Sequence, residues 1–333
     1  MSTYQQERSF RSVLAGSIHD FLTAKRALGK RYVGEEKVLR LLDRYLVERH
    51  INALQAINPE LIESFLASRP RTSAKSYNQL LSVLRRLFEW LKLHKGVSGS
   101  PVQAQPRRLT SHKTPFIFSA DQARRLLEVA AQLPSRPTAP DRGVTYRMIF
   151  ALLYALGLRV GEVSRLQIQD IDFQRDLLVI RQTKFSKTRL VPFGPRLRAA
   201  LQDYLLQQSE RYGRLALEQP VFSFCRNKAR PIYTNTISWT FHQLIPGLDL
   251  YIPPGVSPPH LHCLRHSFAV GTLLHWYRTG IDPARRLIHL STFLGHISPS
   301  STAVYLTITT ELLQSANERF EQFATPLVRE TEQ

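Results

Sequence analysis

Residues 262–266 read His262-Cys263-Leu264-Arg265-His266, and further on Leu294-Gly295-His296 is followed nine positions later by Tyr305. Two earlier stretches belong with them: Gly157-Leu158-Arg159-Val160-Gly161-Glu162-Val163, and Thr183-Lys184-Phe185-Ser186-Lys187-Thr188-Arg189-Leu190-Val191-Pro192. Together they supply two arginines on separate elements, a lysine, several imidazoles and a phenol. Transfer of a phosphoryl group from a DNA backbone to a side chain needs a nucleophile in line with the leaving oxygen. It also needs positive groups around the non-bridging oxygens and an acid for the departing 5′ hydroxyl. The planar fork of arginine grips two oxygens at once. Lysine on a β-turn reaches a leaving oxygen, and histidine donates or orients protons near neutral pH. A tyrosine oxygen is both a competent nucleophile and a good leaving group for the reverse step. Side-chain cations remove the need for a metal, and no cofactor is expected.

Around these stretches the second half of the chain reads as mainly helical. Ser119-Ala120-Asp121-Gln122 has the form of a capping box opening a helix to about Leu133. A loop with Pro134, Pro137 and Pro140 follows, then an apolar helix over about Tyr146–Leu156. Leu177–Arg181 and Arg189–Phe193 read as short β-strands joined by 182–188. Helices are expected over Arg196–Tyr212, Asn235–Leu244, Arg265–Arg278 and Thr310–Phe323.

The first hundred residues carry four helical patterns. They cover about Phe10–Leu28; Glu35–Arg49, with Val38, Leu41, Leu42, Tyr45 and Leu46 on one side; a short one opened by Asn58-Pro59-Glu60; and one from about Thr72 with Leu80, Leu84, Leu87 and Leu91 at helical spacing. Off that last stripe lie Lys75, Arg85, Arg86 and Lys92. These, with Arg107 and Arg108 in the Gly- and Pro-containing stretch that follows, are candidate DNA contacts; a solvated face is the plain alternative.

Composition agrees with a polyanionic partner. Lys plus Arg number 45 against 26 acids, a formal charge of +19 in 333 residues. Each neutralised phosphate releases condensed counterions, so such an excess favours nucleic acid, although charge alone does not separate it from an anionic membrane surface. No apolar run is long enough for a membrane span, and no signal-peptide core follows the polar N-terminus, so a cytoplasmic location is expected. Cys225 and Cys263 are too few for a disulfide framework and read as inert core thiols.

In order and spacing, Arg159, Lys184, His262, Arg265, His296 and Tyr305 resemble the signature of the tyrosine recombinase (phage integrase) family, related in its catalytic domain to type IB topoisomerases. The layout is similar to that of simple two-domain Xer-like or mobile-element members. The resemblance implies a mainly α fold with a small β-sheet. An N-terminal helical SAM-like core-binding domain would span 1–98 and a linker 99–115. A catalytic domain with the DNA breaking-rejoining fold and a C-terminal helix would span 116–333. It implies that Arg159 and Arg265 hold the scissile phosphate, Lys184 protonates the 5′ oxygen, His262 and His296 orient the phosphate and assist proton transfer, and Tyr305 forms a 3′-phosphotyrosyl link without ATP. The implied partner is a double-stranded DNA core site, clamped by a homotetramer on two duplexes. The C-terminal helix (Leu312, Leu313, Ala316, Phe320, Phe323) would join the subunits, and strands would exchange through a Holliday junction in integration, excision or resolution of a mobile element.

Competing readings stand beside this. Lys187 competes with Lys184 for the turn position. His260, His262 and His266 lack a carboxylate or further cysteine at ligand spacing, and Arg265 repels a cation, so no metal is expected. His266 reads as a packed helix residue, and Glu162 as a buttress for Arg159 or a surface residue. Tyr154, Tyr251 and Tyr277 lack the context of Tyr305. The stretch from about His275 to His289 is longer than in compact Xer-type members and reads as inserted material. A type IB topoisomerase-like enzyme and a catalytically silent DNA-binding regulator are the functional rivals. The N-terminal helical region argues against the first, and the complete residue set against the second.

Overall fold

The computed structural model describes residues 9–97, 99–109, 113–181, 188–225, 230–296 and 298–307. The chain divides into two compact units, 1–112 and 113–333. In the first, helices α1 (Ala15–Ala27), α2 (Val33–Glu48), α3 (Pro59–Ala67) and α4 (Ala74–Lys95) enclose one core. Leu39, Leu42 and Leu46 of α2 meet Leu80, Leu84, Leu87 and Leu91 of α4, with Phe21 and Phe65 between the helices. Val38 and Leu41 are only partly buried, so the inward stripe of α2 is centred one position away from the expected one. Helix α1 begins later than the apolar pattern suggests. The buried Asp43 carboxylate accepts the backbone N–H groups of Arg11 and Ser12, which holds residues 11 and 12 outside the helix. Asn58 caps α3 by accepting from the N–H of Leu61, with Pro59 in the first turn.

The second unit holds helices α5 (Ala120–Ala131), α6 (Arg142–Ala155) and α7 (Val160–Arg165), then strands β1 (Ile171–Asp172), β2 (Leu177–Ile180) and β3 (Arg189–Pro192). Helices α8 (Pro195–Tyr212), α9 (Thr234–Leu244), α10 (Cys263–Arg278), α11 (Pro283–Leu294) and α12 (Ser300–Ala303) follow. The strands form an antiparallel sheet in the order β1-β2-β3, with Leu178 opposite both Ile171 and Val191. The architecture is mainly helical with a small sheet, as the sequence implies. Ser119 and Gln122 make the expected reciprocal capping box at α5. Helix α6 starts four residues earlier than expected, at Arg142, and packs closely on α5. A Cβ at Gly143 would stand 2.2 Å from the Ala131 carbonyl oxygen, so only glycine permits that approach.

The main core joins Ile149 and Phe150 of α6 to Leu178, Val191, Phe222, Phe241 and Leu264. A smaller cluster sets Ala269, Val270 and Leu273 of α10 against Leu290 and Leu294 of α11, with the Tyr305 ring among them. Helix α11 lies where the sequence reads as inserted material. Its start signal is nonetheless present: Asp282 accepts from the N–H of Ala284, and Pro283 occupies the first turn. Strand β1, two residues long, is too short for any alternation to register. Cys263 is buried, but Cys225 is exposed and is no core thiol, because it closes an edge bridge with Arg230 rather than packing inward. Lys184, Lys187 and the expected helix at 310–323 lie outside the described residues. Among the described residues no helix is long and apolar enough to cross a membrane.

Candidate active site

The site is built on the C-terminal end of α11. The last carbonyls of a helix have no intrahelical partner and carry the negative end of its dipole. Here three consecutive ones are taken by three different guanidinium groups. Arg189 donates to the Phe293 oxygen at 2.9 Å, Arg265 to Leu294 at 2.7 Å and Arg159 to Gly295 at 2.8 Å. Gly295 closes the helix at φ +67°, and a Cβ there would press on the Arg189 guanidinium at 3.0–3.2 Å. Arg265 also donates to the Gly157 oxygen at 2.6 Å. Gly157 is a second position that requires glycine: φ is +57°, and a Cβ would lie 2.5 Å from the Phe268 ring.

One carboxylate serves two of these cations. Glu162 accepts from the backbone N–H and guanidinium of Arg159 at 2.8 and 2.9 Å, and from Arg189 in a two-point contact at 2.7 and 2.9 Å. Burial alone would raise its pKa, but Arg189 first and then Arg159 overcome this and hold it at about 2. Arg265 is almost fully buried with no carboxylate contact among the described residues. Burial and then Arg159 lower its own pKa to about 10. Among the described residues the cluster therefore carries more positive charge than its one carboxylate balances.

Tyr305 stands beside this cluster. His266 Nδ1 and the Tyr305 hydroxyl share a hydrogen bond of 2.9 Å. The His296 ring stacks on the Tyr305 ring with centroids 6.4 Å apart, while its Nδ1 is bonded to the buried Thr302 hydroxyl at 2.7 Å. His262 packs edge-on against His266 at 4.6 Å. Burial raises the Tyr305 pKa, and Arg265 and Arg159 oppose it. His266 and His296 are each lowered to about 4, chiefly by burial, then by His260 and Arg265 for His266 and by Arg265 and Arg159 for His296. Both rings are thus neutral near pH 7. His262 keeps one side in solvent; desolvation, then His266 and Arg265, lower its pKa as well. Of the six signature residues, the structure gathers Arg159, His262, Arg265, His296 and Tyr305.

Two participants escape the sequence reading. Arg189 shares the inward side of β3 with the fully buried Val191, while Leu190 between them is exposed. A charged residue at an inward position of a strand signals a buried ion pair. His266 lies four residues after His262, the spacing that puts two side chains on one helix face, so a role for one ring bears on the other.

In the first unit Lys75 and Lys92 on α4, and Arg108 after it, are exposed. Arg85 donates inward to the Ala104 oxygen. Arg86 bonds the Tyr32 hydroxyl at 2.8 Å and lies 3.9 Å from Glu35. Arg107 covers the Tyr77 ring and donates to the Arg71 oxygen.

The Glu162 geometry predicts an acid limit. Its folded pKa of about 2 lies below the ordinary 4.5, so its contribution is complete above pH 4.5 and fades as the pH falls through 2. The shift corresponds to about 3 kcal/mol. Glu162→Gln is expected to lose that amount at pH 7 or more, because Arg189 is left buried without its counter-charge. Its unfolding free energy should then change less than wild type between pH 5 and pH 2. Urea titrations across that range measure both; parallel pH curves would show that the pair contributes little.

Comparison with known proteins identifies the family. The phage integrase family profile matches residues 117–311, and the N-terminal SAM-like domain of phage integrases matches 36–95. An integrase/recombinase of Sinorhizobium fredii, y4rB, is 37% identical over 209 residues, covering 62% of this chain and 66% of that protein. Tyrosine recombinase XerC of Pediococcus pentosaceus is 29% identical, covering 86% of this chain and 85% of its own. A lambda integrase tetramer solved on a Holliday junction shares the fold, with a TM-score of 0.61 at 19% identity over 86% of this chain and 78% of the other. Relatives named as recombinases favour strand exchange over topoisomerase-like relaxation or silent DNA binding. The chain belongs to the phage integrase family and is a tyrosine-type site-specific recombinase.

Proposed function

We propose that Tyr305 attacks a DNA phosphodiester held by Arg159 and Arg265 and forms a 3′-phosphotyrosyl link. The observation that carries this reading is the surplus of buried positive charge beside a phenol oxygen. Arg265 is held in a desolvated position without a carboxylate contact among the described residues, which a bound phosphate would balance. Lys184 is the acid that protonates the 5′ oxygen, and His262 and His296 orient the phosphate. A phosphate entering the site adds negative charge next to imidazoles that burial first, and then nearby positive charge, holds neutral, so proton affinity rises when substrate is present. The link retains the energy of the broken bond, and no ATP is required.

The wider assembly follows the same reading. The catalytic domain spans 116–333, with the core-binding domain over 1–98 and a linker between them. The partner is a double-stranded core site, contacted in the first unit through Lys75, Lys92 and Arg108 and the outer edges of Arg86 and Arg107; Arg85 serves chiefly as an internal tie. A lambda integrase of the same fold is a tetramer on a Holliday junction. We extend that arrangement to four copies of this chain on two duplexes, joined through the segment after Tyr305. Integration, excision or resolution of a mobile element in the cytoplasm is the setting.

A nicked suicide substrate, which lets the cleaved end diffuse away, tests the reading. Incubation with DNA flanking the coding region should trap a covalent complex whose DNA-bearing peptide contains Tyr305. A DNA adduct on any other residue overturns the assignment.

A further inference from the structure

We propose that His266 is a further catalytic residue, whose Nδ1 takes the Tyr305 phenol proton during attack and returns it when the link is resealed. The inference rests on the reading of Tyr305 as nucleophile. Among the described residues His266 is the one base hydrogen-bonded to that hydroxyl, at 2.9 Å, a distance suited to direct proton transfer. The other rings are placed differently. His296 lies face to face with the phenol and spends Nδ1 on Thr302. His262 meets the edge of His266 rather than the phenol, and His260 spends Nδ1 on the Cys263 sulfur at 3.1 Å.

The step balances within the site. The phenol O–H bond breaks and its proton passes to Nδ1. The freed oxygen pair forms the O–P bond. The P–O5′ bond breaks with its electron pair on the 5′ oxygen, which receives a proton from Lys184. His266 is left as imidazolium beside the new phosphotyrosyl group. On religation the 5′ hydroxyl returns its proton to Lys184 and attacks phosphorus, the bond from phosphorus to the Tyr305 oxygen breaks, and Nδ1 hands its proton back to that oxygen.

The surroundings suit this cycle. Arg265 on the same helix, His260 and His262 before it and Tyr305 after it are the ionisable groups around the ring. Burial first, and then the nearby cations, keep the ring neutral and ready to accept before substrate binds. A phosphate between Arg159 and Arg265 offsets those cations and makes the ring a stronger base when the phenol must lose its proton.

Single-turnover cleavage of the nicked substrate by His266→Ala and His266→Gln tests this. Both should bind DNA as wild type does, and both should cleave at least about 100-fold more slowly. Added imidazole should restore part of the rate in His266→Ala, where it fits the vacated space. The glutamine variant keeps a hydrogen-bond acceptor beside the phenol but no proton acceptor of useful basicity, so it separates positioning from proton transfer. Wild-type rates in either variant overturn the proposal, and so does a slow alanine variant that imidazole leaves unchanged. Mapping the wild-type adduct keeps the two readings apart. An adduct on Tyr305 with unimpaired His266 variants sinks only this inference, whereas an adduct elsewhere sinks the nucleophile assignment.

Discussion

Tyr305→Phe is expected to abolish covalent attachment to DNA while leaving DNA binding intact. The phenylalanine ring fills the same space among Ala269, Leu273, Leu290 and Leu294, so packing is preserved. The change deletes one hydroxyl and its bond to His266, a loss of about 1 kcal/mol in stability. The effect on chemistry is of another order. Removing a nucleophile leaves only the contribution of binding and charge stabilisation, and the rate should fall by at least roughly 10⁴-fold. A gel-shift titration with the uncleaved site and a denaturing gel for the protein–DNA adduct separate the two effects. An adduct persisting at more than a trace would mean that another oxygen attacks. Tyr154 lies in α6 within reach of the main core, and Tyr251 is largely exposed. Neither has the arginines, imidazoles and helix end that surround Tyr305.

The parts of this site that the sequence makes legible are those held in short, chemically distinctive runs. Arg159 and His296 each follow a glycine that the backbone demands, while Arg265 and Tyr305 stand out by their place in the run. Gly157 adopts a left-handed turn against Phe268, and Gly295 ends α11, so the Gly-Leu-Arg and Leu-Gly-His spacings record local geometry as well as chemistry. The helices of the first unit are legible for a different reason, since four leucines at helical spacing on α4 can bury together on only one face. What stays hidden depends on contacts far apart in sequence. Arg189 reaches Glu162 and the Phe293 carbonyl across 27 and 104 positions, and no local pattern encodes either contact. Asp43 delays α1 from more than thirty positions away. Helix α11 is a case of an unread signal, because Asp282-Pro283 marks its start even though both lie within the stretch that reads as inserted material.

Arg265→Gln should separate function from stability at the centre of the site. The guanidinium is only 1% exposed and bonds the carbonyls of Gly157 and Leu294. Losing those bonds leaves two buried oxygens short of donors, at about 1–3 kcal/mol each. The same substitution removes a buried charge whose desolvation costs several kcal/mol and which repels Arg159. These terms oppose one another, and the side-chain amide can still donate to one carbonyl. The net change in unfolding free energy should therefore stay within about 2 kcal/mol. Cleavage has no such compensation. On the proposed reading the phosphate loses one of its two guanidiniums, so the single-turnover rate should fall roughly 10³-fold, the scale seen when one preorganised donor to an oxyanion is removed. Arg265→Lys should recover little of that rate, because an ammonium cannot span two carbonyls and a phosphate oxygen together. Denaturant unfolding and suicide-substrate kinetics on the same preparations decide the matter. A large loss of stability accompanied by a small loss of rate would make Arg265 a strut between α11 and the Gly157 turn, and the anion site would then rest on Arg159 alone.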